Sequence, residues 1–132
     1  MKETRNWALA ILFCLGGASC SNPPPSQEDV LIAGSAQALR HMMRNPDSFK
    51  IEKATQEPDG AICYTYRAQN GFGGMDKNNA VATLVESRFH VVVADEGEGL
   101  AAWLKHCSNT TDGKDVTSYA EYALTLPNLL GS

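Results

Sequence analysis

The chain has little that would point to a reaction. Its four cysteines and three histidines include no short-spaced ligand pair of the kind that structural zinc sites use. Its glycine-rich stretch lacks both a Gly-Lys-Ser/Thr ending and a dinucleotide fingerprint, which removes the common phosphate-binding loops. Positive charge is scarce as well. With 11 basic against 15 acidic residues the formal net charge is -4, a balance that argues against affinity for phosphate backbones, so nucleic acid is not an expected partner. There is no internal repeat, which excludes solenoids and propellers. A chain of 132 residues leaves room for one domain, and 43% hydrophobic with 20% charged residues is the balance of a chain that buries a single core.

The N-terminus has a different character. Lys2 and Arg5 precede an apolar run from Trp7 to Leu15, and Gly16-Gly17-Ala18-Ser19 places small residues before Cys20. That is the three-part plan of an export signal. The uncharged stretch from Asn6 to Asn22 is diluted with Gly, Ser and Asn, so a retained membrane-spanning helix is the weaker reading. Gly-Gly-Ala-Ser-Cys resembles the lipobox of bacterial lipoproteins, with Gly17 standing where Leu is usual. The resemblance implies a signal over 1–19 and lipidation of Cys20, which becomes the new N-terminus. With the non-acidic Ser21 next, it also implies sorting to the periplasmic face of the outer membrane. Cleavage by the ordinary signal peptidase is the alternative. Several acyl chains hold a protein firmly where one anchors only marginally. Residues 20–26, with Pro23-Pro24-Pro25, read as a tether extending about 20 Å, and 27–132 as the single domain.

Within that domain, Ser26 to Asn45 reads as a helix. Ser26 and Asp29 approximate a capping box, and Ile32, Ala36, Leu39 and Met43 recur on one face, widened by Val30, Leu31 and Met42. Pro46 ends it. Phe49 and Ile51 alternate with charged residues as a first strand. After a Pro58-Asp59-Gly60 reversal, a second strand runs from Ala61 to about Gln69, with Ile62, Tyr64, Tyr66 and Ala68 on one face. Asn70 to Asn79 reads as a glycine-rich loop in which Phe72 tucks back into the body. Strands follow at Val81–Val85 and Phe89–Ala94, although Glu86-Ser87-Arg88 is poor hairpin chemistry. Leu100, Trp103, Leu104 and Cys107 mark a second helix after an acidic loop, 108–114 reads as a polar loop, and Val116 to Leu124 fit a last helix.

Two sites compete for attention. Cys14 lies in the expected signal and Cys20 would be lipidated or lost, which leaves Cys63 and Cys107 to pair in an oxidising compartment. A catalytic Cys-His pair with His90 or His106 is the sharper rival, weakened because helix neighbours such as His106 and Cys107 point apart. The other site is the Asn-Gly-Phe-Gly-Gly loop: Arg67, Asn70, Gly71, Phe72, Gly73 and Gly74 could form an anion-binding nest, against the plainer reading of a structural turn. His41 reads as a solvated helix residue. The acidic run Asp95, Glu96 and Glu98 offers too few ligands for calcium.

Pro46-Asp47-Ser48, Cys63 with Tyr66-Arg67, Asn70 to Met75, and Trp103 with His106-Cys107 resemble, in that order, a group of small exported bacterial proteins with no assigned activity. The loop in that group is commonly Asn-Ser-Phe-Gly-Gly, from which Gly71 departs. The resemblance supports export and fold and supplies no catalytic or binding residue.

The expectation is therefore an α+β domain: an N-terminal helix on a three- to four-stranded antiparallel sheet, with a second short helix stapled to it through Cys63 and Cys107. No cofactor and no metal are expected. The function expected is a non-catalytic module tethered to the membrane through its lipid anchor and binding an envelope protein. A small ligand-binding protein or hydrolase using the loop with Arg67 is the alternative, as is an inhibitor of an envelope enzyme.

Overall fold

A computed structural model describes residues 26–128; the signal, Cys20 and nearly all of the tether lie outside the described residues. Helix α1 spans Gln27–His41. The Asp29 N–H donates to Ser26 Oγ at 3.1 Å and the Ser26 N–H donates to Asp29 Oδ2 at 3.3 Å, so the capping box closes in both directions. Leu31, Ile32, Ala36 and Leu39 are buried as the periodicity requires. Val30 and Met42, counted into the same stripe, are instead exposed.

The sheet contains strands β1 (Lys50–Gln56), β2 (Ile62–Gln69), β3 (Met75–Val85), β4 (Arg88–Val93) and β5 (Lys114–Asp115), in spatial order β4-β3-β2-β1-β5 with antiparallel neighbours. A 3-10 turn over Pro46–Ser48 precedes β1. Helix α2 (Gly97–His106) and helix α3 (Thr117–Ala123) complete the α+β architecture.

The first helix ends at His41, short of the expected Asn45, and three details of the sheet differ from expectation. β3 starts at Met75 rather than near Val81, because Gln69↔Met75 through Ile62↔Ala82 pair without interruption. The loop is correspondingly short. Glu86 and Ser87 do make a tight hairpin turn, with φ of 50° and 64°; the β3–β4 register holds two ordinary residues in the left-handed region that such turns demand. The polar segment after α2 carries β5, two residues paired with Thr55 and Gln56, too short to leave a periodic signal.

The alternation of β2 sorts the two faces. Ile62, Tyr64 and Tyr66 lie beneath α1 and α3 with Ala54, Ala80 and Ala82, and burying each large side chain contributes about 1.5–3 kcal/mol. Polar groups in this layer are matched. The Tyr64 hydroxyl donates to the Ile32 carbonyl at 3.1 Å and shares a 2.7 Å bond with Ser35 Oγ. Burial pushes that phenol well above its ordinary pKa, only partly offset by the Ser35 bond. Buried Gln37 donates to the carbonyls of Ala123 and Pro127, and Arg40 to that of Leu124, so α1 supplies the C-terminal cap of α3.

The opposite face is covered only in part. α2 lies over β3 and β4, and Gly99 makes this approach possible: a Cβ there would stand 1.7 Å from the Val93 carbonyl oxygen. The Cys63–Cys107 disulfide, with Cα atoms 5.9 Å apart, fastens the end of α2 to the middle of the sheet. Beyond α2, Thr65, Arg67, Lys77 and Asn79 leave an open polar surface.

Candidate functional site

The β2–β3 loop is built by one side chain. Asn70 Oδ1 accepts from the backbone N–H of Phe72 at 2.9 Å and of Gly74 at 3.0 Å, while its Nδ2 donates to Asp76 Oδ1 at 3.1 Å. The backbone adds two bonds, from the Asn70 N–H to the Gly74 carbonyl at 2.7 Å and from the Gly73 N–H to the Asn70 carbonyl at 3.2 Å. Gly73 takes a φ of 88°, which a residue carrying a Cβ would adopt only under strain. The amides of Phe72, Gly73 and Gly74, which an anion nest would need, thus already have partners inside the loop.

The base of the loop is braced from the α1–β1 connection. Ser48 Oγ accepts from the Gln69 N–H at 2.8 Å, Asn45 donates to Gln69 Oε1, and Gln69 Nε2 donates to the Gly73 carbonyl at 3.1 Å. Arg44 lies against Gly71, with Nη1 2.6 Å from where a Cβ would stand.

Phe72 corrects the sequence reading. Its side chain is 100% exposed rather than folded back over the sheet. The turn geometry fixed by Asn70 sends the residue at the tip away from the body. Met75, at the start of β3, is half exposed.

Arg67 does not join the loop tip. It lies on the open face of β2, where its guanidinium bonds Glu52; Lys77 Nζ approaches the other oxygen of that carboxylate at 3.3 Å. The Arg67 hydrogen bond is the largest effect on the Glu52 carboxyl and holds it below its ordinary range; desolvation opposes it, and Lys77 adds to the lowering.

The remaining candidates are dispersed. Cys63 and Cys107 are bonded to each other, so neither offers a thiolate to a histidine. His106 Nδ1 pairs with Asp59 Oδ2 at 2.6 Å, which ties the β1–β2 turn to α2, and His90 Nε2 pairs with Glu98 Oε1 at 2.9 Å. His41 is exposed. Asp95 accepts from the Glu96 N–H. Among the described residues no group of three or more His, Cys, Asp or Glu side chains could hold a metal ion, and no helix is long and apolar enough to cross a membrane.

One residue with functional potential was not legible in the sequence. Glu57, placed beside the Pro58 turn, has the look of a solvated turn residue, yet it is buried with its carboxylate against Gly113. Its neighbour Thr55, one pleat earlier on the same side of β1, is the only local hint. Comparison with protein-family models, with curated proteins and with solved structures gives no match.

Proposed function

We propose that the protein is a non-catalytic interaction module of the cell envelope, held at the membrane through lipidated Cys20 and engaging a partner protein through the tip of the β2–β3 loop. The observation that carries this reading is the complete exposure of Phe72 on a loop whose shape is set by Asn70. Aromatic side chains dominate the energetics of protein contacts when they enter a partner's pocket. Covering a phenyl ring is worth about 1.5–3 kcal/mol. A loop already held in place saves part of the ordering cost, about 0.5–1.5 kcal/mol for each side chain that would otherwise be immobilised on binding. Met75 and the Glu52, Arg67 and Lys77 cluster would supply an apolar flank and a polar rim.

A photo-crosslinking residue at position 72, expressed in intact cells, tests the contact. A discrete protein adduct from position 72 and none from exposed Glu121 on α3 is the expected result. Equal labelling from both positions, or none from 72, would remove the reading. The anchor is tested separately: incorporation of a palmitate analogue should disappear in Cys20→Ala, and an unlabelled parent chain would remove the membrane half of the proposal.

A further inference from the structure

On the open face of the sheet, bounded by β1, β2, the end of α2 and the 108–113 segment, lies a cleft of about 410 Å³. Its walls include Thr55, Thr65, Thr111 and Trp103, and Glu57 stands among them. Glu57 is only 6% exposed. Its Oε1 accepts from Thr55 Oγ1 at 3.0 Å, but its Oε2 is buried with no hydrogen-bond partner among the described residues. None of the ion pairs among the described residues involves it. A carboxylate withdrawn from water is tolerated when it is paired, and its unpartnered oxygen is an acceptor suited to a donor, above all a cation.

We propose that this cleft binds a small monoamine, with the ligand's primary ammonium seated on Glu57 and its apolar body along Trp103. An ammonium brings three N–H donors; Glu57 Oε2 accepts one, and the threonine hydroxyls of the cleft are acceptors for the others. Trp103 gives the aromatic wall that favours a cation or its alkyl chain. Lys53, on β1 two residues before Thr55, also lines the cleft and sets its other end against a second positive charge. That selects a monoamine over a diamine. Oε2 lies under Gly113, where a Cβ would stand 2.7 Å from Oε1 and 3.1 Å from Oε2. Ligand entry therefore displaces Gly113 and the 108–113 segment around it, whose side-chain bonds from Ser108 Oγ to the Leu104 carbonyl and from Thr110 Oγ1 to that of Cys107 are local to the end of α2. The site shares no residue with the Phe72 loop and stands or falls without it.

The test is an amide-resolved NMR titration of the purified full chain, disulfide intact, with n-butylammonium chloride; sodium butyrate and 1,4-diaminobutane at matched ionic strength are the controls. Saturable shifts at Thr111 and Gly113 with butylammonium, absent with butyrate and weaker with the diamine, are expected. Glu57→Gln should weaken binding at least about tenfold, and Glu52→Gln should leave it unchanged. Should Glu57→Gln lose its folded spectrum, Gly113→Ala decides, because its methyl displaces the carboxylate and should weaken binding several-fold. Shifts that never saturate, equal response to butyrate, or unchanged affinity in the folded variant would overturn the proposal.

Discussion

Replacing Cys63 and Cys107 together with alanine removes the bond that fastens α2 to β2 and little else, since an alanine at Cys63 keeps most of the buried volume. The bridge closes a segment with a sequence separation of 44. In the chain-entropy account such a loop restricts the unfolded chain by about 13 cal/mol/K, or about 4 kcal/mol at 25 °C. A domain of roughly 100 residues unfolds with an entropy near 0.2 kcal/mol/K, so the loss corresponds to a fall in Tm of about 15–20 °C. Set against a typical net stability of about 5–15 kcal/mol, this is a large share. Calorimetry on the parent and the double variant measures it, and reductant added to the parent should reproduce the variant's Tm. Hydrogen exchange should also quicken first in α2, whose remaining ties include the His90–Glu98 and His106–Asp59 pairs. A fall below about 5 °C would refute the reasoning, because the unfolded chain would then gain little freedom.

Other outcomes follow from the same geometry. Asn70→Ala strips two acceptor bonds and one donor bond from the loop and should cost about 1–2 kcal/mol in urea unfolding; an unchanged midpoint would mean the loop holds its shape by backbone alone. Gly99→Ala drives a methyl into the Val93 carbonyl and should cost about 1–3 kcal/mol or more, read from the same curves. Asp59 gives an acid-side dependence. Burial pushes its carboxyl up, but the Ala61 N–H bond and His106 together outweigh this and hold it below its ordinary value of 3.8. A depressed folded pKa adds stability above the unfolded value, which is lost as pH falls through the folded one. Stability should therefore drop below pH 3.8 more steeply in the parent than in Asp59→Asn, and identical acid limbs would contradict the assignment.

Where the pattern had physical force, the sequence was a sound guide. The capping pair Ser26 and Asp29, the Ile32, Ala36 and Leu39 stripe, and the period-two burial of Ile62, Tyr64 and Tyr66 each reflect one face in water and one in the core. The disulfide is the pairing expected of the two cysteines outside the N-terminal stretch that reads as a signal. The signal failed where only one partner was visible locally. Met75 to Asn79 read as loop because Lys77 and Asn79 face the open side of the sheet, so the strand there is polar. Glu86-Ser87 is held in its turn by the pairing of Leu84 with Phe89 and Val85 with Arg88, information that lies in the register rather than in the turn residues. Phe72 reads as an interior residue because it is apolar and flanked by flexible glycines, yet Asn70 fixes the loop with its tip in solvent. Glu57 gave no warning because the segment covering it is more than 50 residues away in the chain.

Phe72, at the tip of the β2–β3 loop, serves a partner and not the fold in the function proposed above. The direct measurement is the unfolding free energy of Phe72→Ala against the parent, from urea denaturation of the disulfide-bonded protein. A fully exposed ring with no receiving pocket predicts a change within about 0.5 kcal/mol, as at any open surface position. A loss above about 1.5 kcal/mol, the lower limit for a buried large apolar side chain, would show that the ring packs within its own molecule and would contradict the central claim.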